Sequence, residues 1–98
     1  MSDSVFLKEA AIESYLRAQV TKRGGRSFKF VSPSNRGVPD RIVVAPGGQV
    51  WFVEVKTETG KLSKLQEIVI DDLRDMGADV FVAYGKKGVD EILKIIFG

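Results

Sequence analysis

Glu54 and Lys56 stand two residues apart in the run Val50-Trp51-Phe52-Val53-Glu54-Val55-Lys56. On a β-strand alternate side chains leave the same face, so this spacing sets a carboxylate beside an ammonium. Trp51, Val53 and Val55 fill the opposite face. Charge in such an apolar run is costly unless it is paired or bound to a metal. Asp40 opens the preceding β-branched run, Arg41 to Ala45, and Pro46-Gly47-Gly48-Gln49 between the runs reads as a turn. A hairpin would therefore bring Asp40 beside Glu54. Two converging carboxylates suit a hard cation such as Mg²⁺ or Mn²⁺. By itself, Glu-x-Lys reads as an edge-strand ion pair of Glu54 with Lys56 or Arg41.

The composition narrows the chemistry further. The chain of 98 residues contains neither cysteine nor histidine. That excludes disulfides, thiolate zinc sites and cysteine nucleophiles, and also every mechanism built on a histidine base or ligand. Carboxylates, lysines or hydroxyls must do any chemistry. Hydrophobic residues make up 44% and charged residues 29%, the balance of a globular chain. The length predicts one domain over residues 1–98. The formal net charge is +2, with Arg17, Lys22, Arg23, Arg26 and Lys29 grouped early and Lys56, Lys61 and Lys64 about one short loop. Mild basicity fits a polyanionic partner, although single lysines more often simply solvate a surface. No run is long and apolar enough to span a bilayer, and the first residues do not read as a signal peptide. A cytoplasmic protein, of a bacterium or a phage-infected host cell, is the expectation.

The elements that must position these residues follow from periodicity. Ile12, Leu16 and Val20 recur every four residues and predict a helix from about Val5 to Lys22, ended by Gly24-Gly25. Ser27 to Val31 alternates as a strand, followed by the turn cluster Ser32-Pro33-Ser34-Asn35. Arg41–Ala45 and Val50–Lys56 are the next two strands. After a loop containing Gly60, Ser63 predicts an N-cap, with Leu65, Val69, Leu73 and Met76 as the helical stripe and Gly77 at its C-terminal end. Ala78 to Tyr84 reads as a strand, Gly85-Lys86-Lys87-Gly88 as a loop, and Val89 to Phe97 as a short last helix. The order α-β-β-β-α-β-α predicts an α/β fold: a mixed sheet with helices on both faces and a right-handed parallel crossover. Phe28, Phe30, Phe52 and Phe81 are expected in the core.

Five segments in one order sharpen this reading: Glu9-Ala10-Ala11-Ile12-Glu13, Lys29-Phe30-Val31-Ser32-Pro33, Arg36-Gly37-Val38-Pro39-Asp40-Arg41, Phe52-Val53-Glu54-Val55-Lys56 and Leu62-Ser63-Lys64-Leu65-Gln66. Together they resemble the PD-(D/E)XK nuclease superfamily, and within it the virus-type replication-repair nuclease family, VRR-NUC. The resemblance runs from Glu9 to about Tyr84, with the Pro-Asp and Glu-x-Lys elements intact.

The resemblance implies a restriction-endonuclease-like αβββαβ core with a short C-terminal helix appended. It implies a Mg²⁺- or Mn²⁺-dependent endonuclease acting on DNA, in particular branched or structured DNA such as four-way junctions or flaps, and working as a homodimer. Asp40 and Glu54 would be metal ligands, with the backbone carbonyl of Val55 as a further oxygen and Lys56 serving the attacking water or the developing charge. One carboxylate of the first helix is implied as well: Glu9, in the Glu-x-x-Ile position, with Glu13 as the alternative. Gln66 matches the family's glutamine, yet Ser63-Lys64-Leu65-Gln66 also has the spacing of a capping box, and both roles are compatible. Arg36, Arg41, Lys61, Lys64 and Lys29 are the expected nucleic-acid contacts. Trp51 and the apolar tail Ile92, Leu93, Ile95, Ile96 and Phe97 suit either the monomer's own core or a subunit interface. The competing function is a non-catalytic nucleic-acid-binding module of the same fold. A broken Asp/Glu-x-Lys set would mark it, and here the set is whole.

Overall fold

A computed structural model describes residues 7–98. The elements are α1 (Glu9–Lys22), β1 (Arg26–Lys29), β2 (Arg41–Val44), β3 (Val50–Lys56), α2 (Lys64–Asp75), β4 (Val80–Tyr84) and α3 (Gly85–Phe97), in the predicted order. The sheet runs β1-β2-β3-β4, antiparallel between β1, β2 and β3 and parallel between β3 and β4. Parallel neighbours need a crossover, and α2 supplies it.

Register divides the sheet into two unlike faces. Arg41 lies opposite Val53 and Val43 opposite Trp51, while Val53 and Val55 pair with Phe81 and Ala83. This face carries the main core, built from Ile12, Leu16 and Val20 of α1, Val43, Val53, Val55 and Ala83 of the sheet, and Val89, Ile92, Leu93 and Ile96 of α3. Trp51 packs against that core within the same chain. The other face carries Phe52, Glu54 and Lys56, and α2 begins over it, since Gln66 reaches Glu54. Helices therefore cover both faces.

Helix ends follow local chemistry. Ser63 accepts from the Gln66 backbone N–H (3.1 Å) and the Gln66 side chain accepts from the Ser63 N–H (2.8 Å), a complete capping box. α1 and α2 close alike: the Gly25 N–H donates to Val20 O and the Ala78 N–H to Leu73 O, each the long bond of a Schellman motif.

Four expectations need correction. The first helix begins at Glu9 rather than near Val5: Leu7 and Lys8 precede it, and Val5 lies outside the described residues. Lys8 offers no side-chain cap, so Glu9 occupies the first helical turn, where the helix dipole favours a carboxylate. Gly85-Lys86-Lys87-Gly88 is the first turn of α3, not a loop. Gly85 turns the chain at φ +67°, and a Cβ at Gly88 would lie 3.1 Å from the Ala83 carbonyl carbon, so glycine here permits close packing of helix on strand. On α2 the most buried side chain is Ile70; Leu65 and Met76 of the predicted stripe are exposed, Met76 at 77%. The helix covers only the β3–β4 end of its face and leaves a groove bordered by Phe30, Val38, Leu65 and Met76. Phe28 is 44% exposed and carries the Arg26 guanidinium on its ring rather than joining the core.

Ile92, Leu93 and Ile96 of α3 are thus spent within the monomer, whereas Ile95 is exposed. We expect Leu93→Ala to destabilise the chain by about 2–5 kcal/mol in urea unfolding, the range for a buried leucine truncated in place. Unchanged stability with a lower assembly mass would show instead that this side chain serves a subunit interface.

Candidate active site

Strand β3 extends beyond β2, since the last paired residue of β2, Arg41, lies opposite Val53. Residue 40 lies just past that end, within reach of β3. The Val55 N–H donates to Asp40 Oδ1 at 3.2 Å, and the Asp40 carbonyl accepts from the Phe30 N–H at 2.9 Å. Asp40 is thereby held through its backbone by Phe30, the residue that follows β1, and through its side chain by β3. The preceding Pro39 is fully buried. Its fixed φ and its restriction of Val38 to extended backbone fit this entry into β2.

Glu54 is only 3% exposed. Its Oε2 receives Gln66 Nε2 at 3.1 Å and lies 3.6 Å from Lys56 Nζ. The two roles foreseen for Gln66 coexist in one side chain: its oxygen caps α2 and its nitrogen reaches Glu54. Gly37 fixes where that helix starts. It adopts φ +86°, and a Cβ there would come within 2.9 Å of Leu65 Cγ and 3.0 Å of the Leu65 carbonyl oxygen. Gly37 is thus more than a turn residue, because it lets the segment leading to Asp40 rest on the first turn of α2.

One carboxylate oxygen from each of Glu9, Asp40 and Glu54 lies within 4.8 Å of the others. Burial pushes the Asp40 carboxyl up to about 6; the Val55 N–H opposes this, and the charges of Glu13 and Glu9 add to it. Burial likewise raises Glu54 to about 7, with Asp40 and Glu9 adding to the shift and Lys56 opposing it. Three carboxylates this close repel one another and bind protons more tightly than isolated ones. A divalent cation relieves that repulsion. Ligand oxygens about one Mg²⁺ lie at most about 4.2 Å apart, so a small closure of the triad would seat an ion. The donors are all oxygen, which fits Mg²⁺ or Mn²⁺ and disfavours softer ions.

The remaining expected residues fall into two groups. Arg36, Lys29, Lys61 and Lys64 are exposed, as phosphate contacts must be. Arg41 is not: it is 5% exposed on the core-facing side of the sheet. Its Nε donates to Ser27 Oγ (3.1 Å), its Nη2 to the Ser27 carbonyl (3.3 Å) and its Nη1 to Glu13 Oε1 (3.4 Å). Glu13, the alternative helix ligand, is thus committed to Arg41, with Lys29 at 3.8 Å, and Glu9 is the helix carboxylate in the cluster. Sequence reasoning missed the Ser27–Arg41–Glu13 network. Strand parity held a signal for it, since Arg41 shares the inward face of Val43.

The raised carboxyls make a pH prediction. A carboxyl whose pKa is higher folded than unfolded adds stability that is complete below the unfolded value, about 4, and is lost as pH rises through the folded value. For Asp40 and Glu54 that loss begins near pH 4 and is nearly complete by about pH 8. In EDTA the melting temperature should fall over this interval, and Mn²⁺ should raise it more at the upper end than at the lower. Asp40→Asn combined with Glu54→Gln should flatten both trends. A wild-type melting temperature that climbs from pH 5 to pH 8 in EDTA would contradict the assignment.

Comparison with known proteins identifies the family of the chain. The chain is 47% identical over 60 residues to a protein named "Putative nuclease p44" of Acyrthosiphon pisum secondary endosymbiont phage 1, a match spanning 61% of this chain and 64% of that relative. A solved structure described as a VRR_NUC domain superposes with a TM-score of 0.82 at 33% identity, covering 88% of this chain and 94% of its own. The VRR-NUC domain family matches residues 6–87, from just before α1 into the first turn of α3. The chain belongs to the VRR-NUC domain family.

Proposed function

We propose that this chain is a divalent-cation-dependent endonuclease that hydrolyses phosphodiester bonds of DNA. We read residues 1–98 as one nuclease domain. The observation that carries the proposal is the convergence of Glu9, Asp40 and Glu54 beside Lys56, in a chain with no histidine. Membership of the VRR-NUC family and the name of the phage relative support the same activity.

Glu9, Asp40 and Glu54 would hold Mg²⁺ or Mn²⁺, with the Val55 carbonyl as a further oxygen. When bound, such an ion polarises a phosphoryl oxygen and makes its own water more acidic. The protein's part is positional and electrostatic. Gln66 and Lys56 fix the Glu54 carboxylate from one side, and the Val55 N–H fixes Asp40. Lys56 brings a compact positive charge to the edge of the cluster, where it stabilises charge developing on the phosphate or orients the attacking water. Exposed Arg36, Lys29, Lys61 and Lys64 bind the flanking backbone without reading sequence.

Branched or structured DNA, such as a four-way junction or flap, is the substrate we propose from the family. Two copies facing two strands of such a junction would cut both. This dimer rests on substrate symmetry, since Ile92, Leu93 and Ile96 of α3 are already buried in the monomer. Among the described residues no helix is long and apolar enough to cross a membrane.

Labelled single-stranded, duplex, flap and four-way-junction DNAs incubated with Mg²⁺, Mn²⁺ or EDTA test the proposal. Cutting should require the cation, and undiminished activity in EDTA would sink it. Asp40→Asn, Glu54→Gln and Lys56→Ala should each lower the rate by about a hundredfold or more while DNA binding persists. Folded Lys56→Ala cutting at the wild-type rate would remove the lysine from the mechanism. Gln66→Glu retains an oxygen for the capping box but places a carboxylate against Glu54. We expect its melting temperature in Mn²⁺ to stay close to wild type while its rate falls, whereas equal rates would confine Gln66 to helix capping.

A further inference from the structure

We infer that Arg41 and Glu13 form a positioning clamp that sets the distance of Glu9 from Asp40 and Glu54, with Glu13 acting through Arg41 rather than as a metal ligand. The inference rests on the metal-centre reading above and assigns a role to residues outside the triad.

Glu9 begins α1, where Lys8 offers no side-chain cap. Glu13 lies one helical turn further on, at i+4, on the same side of the helix. The bond from Arg41 Nη1 to Glu13 is the only side-chain hydrogen bond from the first two turns of α1 to the sheet among the described residues. Arg41 is itself immobilised by two bonds to Ser27 of β1 and by its place in β2, directly after Asp40. One guanidinium therefore joins β1, β2 and α1 at the residue next to a proposed ligand. A helix turn is stiff, so fixing Glu13 fixes Glu9, about 6 Å of axial rise away and little more than one pitch. The planar fork matters: it satisfies two partners on Ser27 and a third on Glu13 at once, which a lysine ammonium on its thinner stem does not reproduce. The same pairing keeps Glu13, whose charge is felt at Asp40, turned toward a cation. Partners that orient metal ligands from behind shift metal affinity when removed, even though they never touch the ion.

Mn²⁺ titration of the whole chain, followed by calorimetry, tests the clamp without any DNA, and the melting temperature in EDTA reports folding separately. Glu9→Gln, a lost ligand, and Arg41→Lys, a lost clamp, should each weaken Mn²⁺ binding by about tenfold or more. Glu13→Gln keeps an acceptor for Arg41 and should bind Mn²⁺ close to wild type. Ser27→Ala, a mild change that removes one support of the guanidinium, should weaken binding by a smaller factor and guards against misfolding of Arg41→Lys. Wild-type affinity in both Arg41→Lys and Ser27→Ala, even with lowered melting temperatures, would overturn the clamp and leave a purely structural ion pair. A loss in Glu13→Gln equal to that in Glu9→Gln would overturn it in favour of Glu13 as a ligand. A wild-type chain that takes up no Mn²⁺ would overturn the metal centre itself, an outcome distinct from either.

Discussion

Like charges held close together in a poorly solvated place define this molecule. Glu54 is almost fully buried, and an oxygen of it lies within 4.8 Å of oxygens from Asp40 and Glu9. Folding alone gains nothing from that arrangement: each carboxylate raises the affinity of the others for protons, and desolvation adds to the effect. A fold that keeps it must anchor every member rigidly. A divalent cation held there, as proposed, would offset the electrostatic cost of bringing the three carboxylates together.

The anchoring accounts for much of the architecture. Extension of β3 beyond β2 frees the Val55 N–H for Asp40. The hydrophobic interface of α1 and α3 with Val43, Val53, Val55 and Ala83 holds the back of the sheet, so that the front can carry charge. On that front, α2 begins at a cap whose N3 glutamine also reaches Glu54, and glycine at position 37 allows the approach of that helix. Arg41 ties α1 to the opposite side of the same strand ends. Each tie comes from a different element, and each ends at one of the three carboxylates or at a residue beside one.

Much of this was legible in the sequence for identifiable reasons. Period-two spacing separates Glu54 and Lys56 from Trp51, Val53 and Val55, and the structure keeps that separation. The Ile12-Leu16-Val20 period and the Ser63 capping box depend on contacts within a few residues, so they were readable too. What escaped depends on contacts distant in sequence. Ser27 has no local mark of its bond to Arg41, fourteen residues on. The glycines at 85 and 88 suggest a loop until the Ala83 backbone packed against Gly88 is known. The α2 stripe failed because amphipathic spacing shows that a helix has an apolar side, not how much of that side the sheet is wide enough to cover. A basic residue next to Asp40 suggests a phosphate contact, although the parity of Arg41 with Val43 places it inward.

In the proposed function, Glu9, Asp40 and Glu54 converge to hold a divalent cation beside Lys56. Crystals of the full chain soaked in Mn²⁺ and measured by anomalous diffraction locate any such ion. We expect one strong anomalous peak within coordinating distance of carboxylate oxygens from all three residues, with Glu13 still on Arg41. A peak at Glu13 or on the outer face of α2, or none between Asp40 and Glu54 at saturating Mn²⁺, would contradict it.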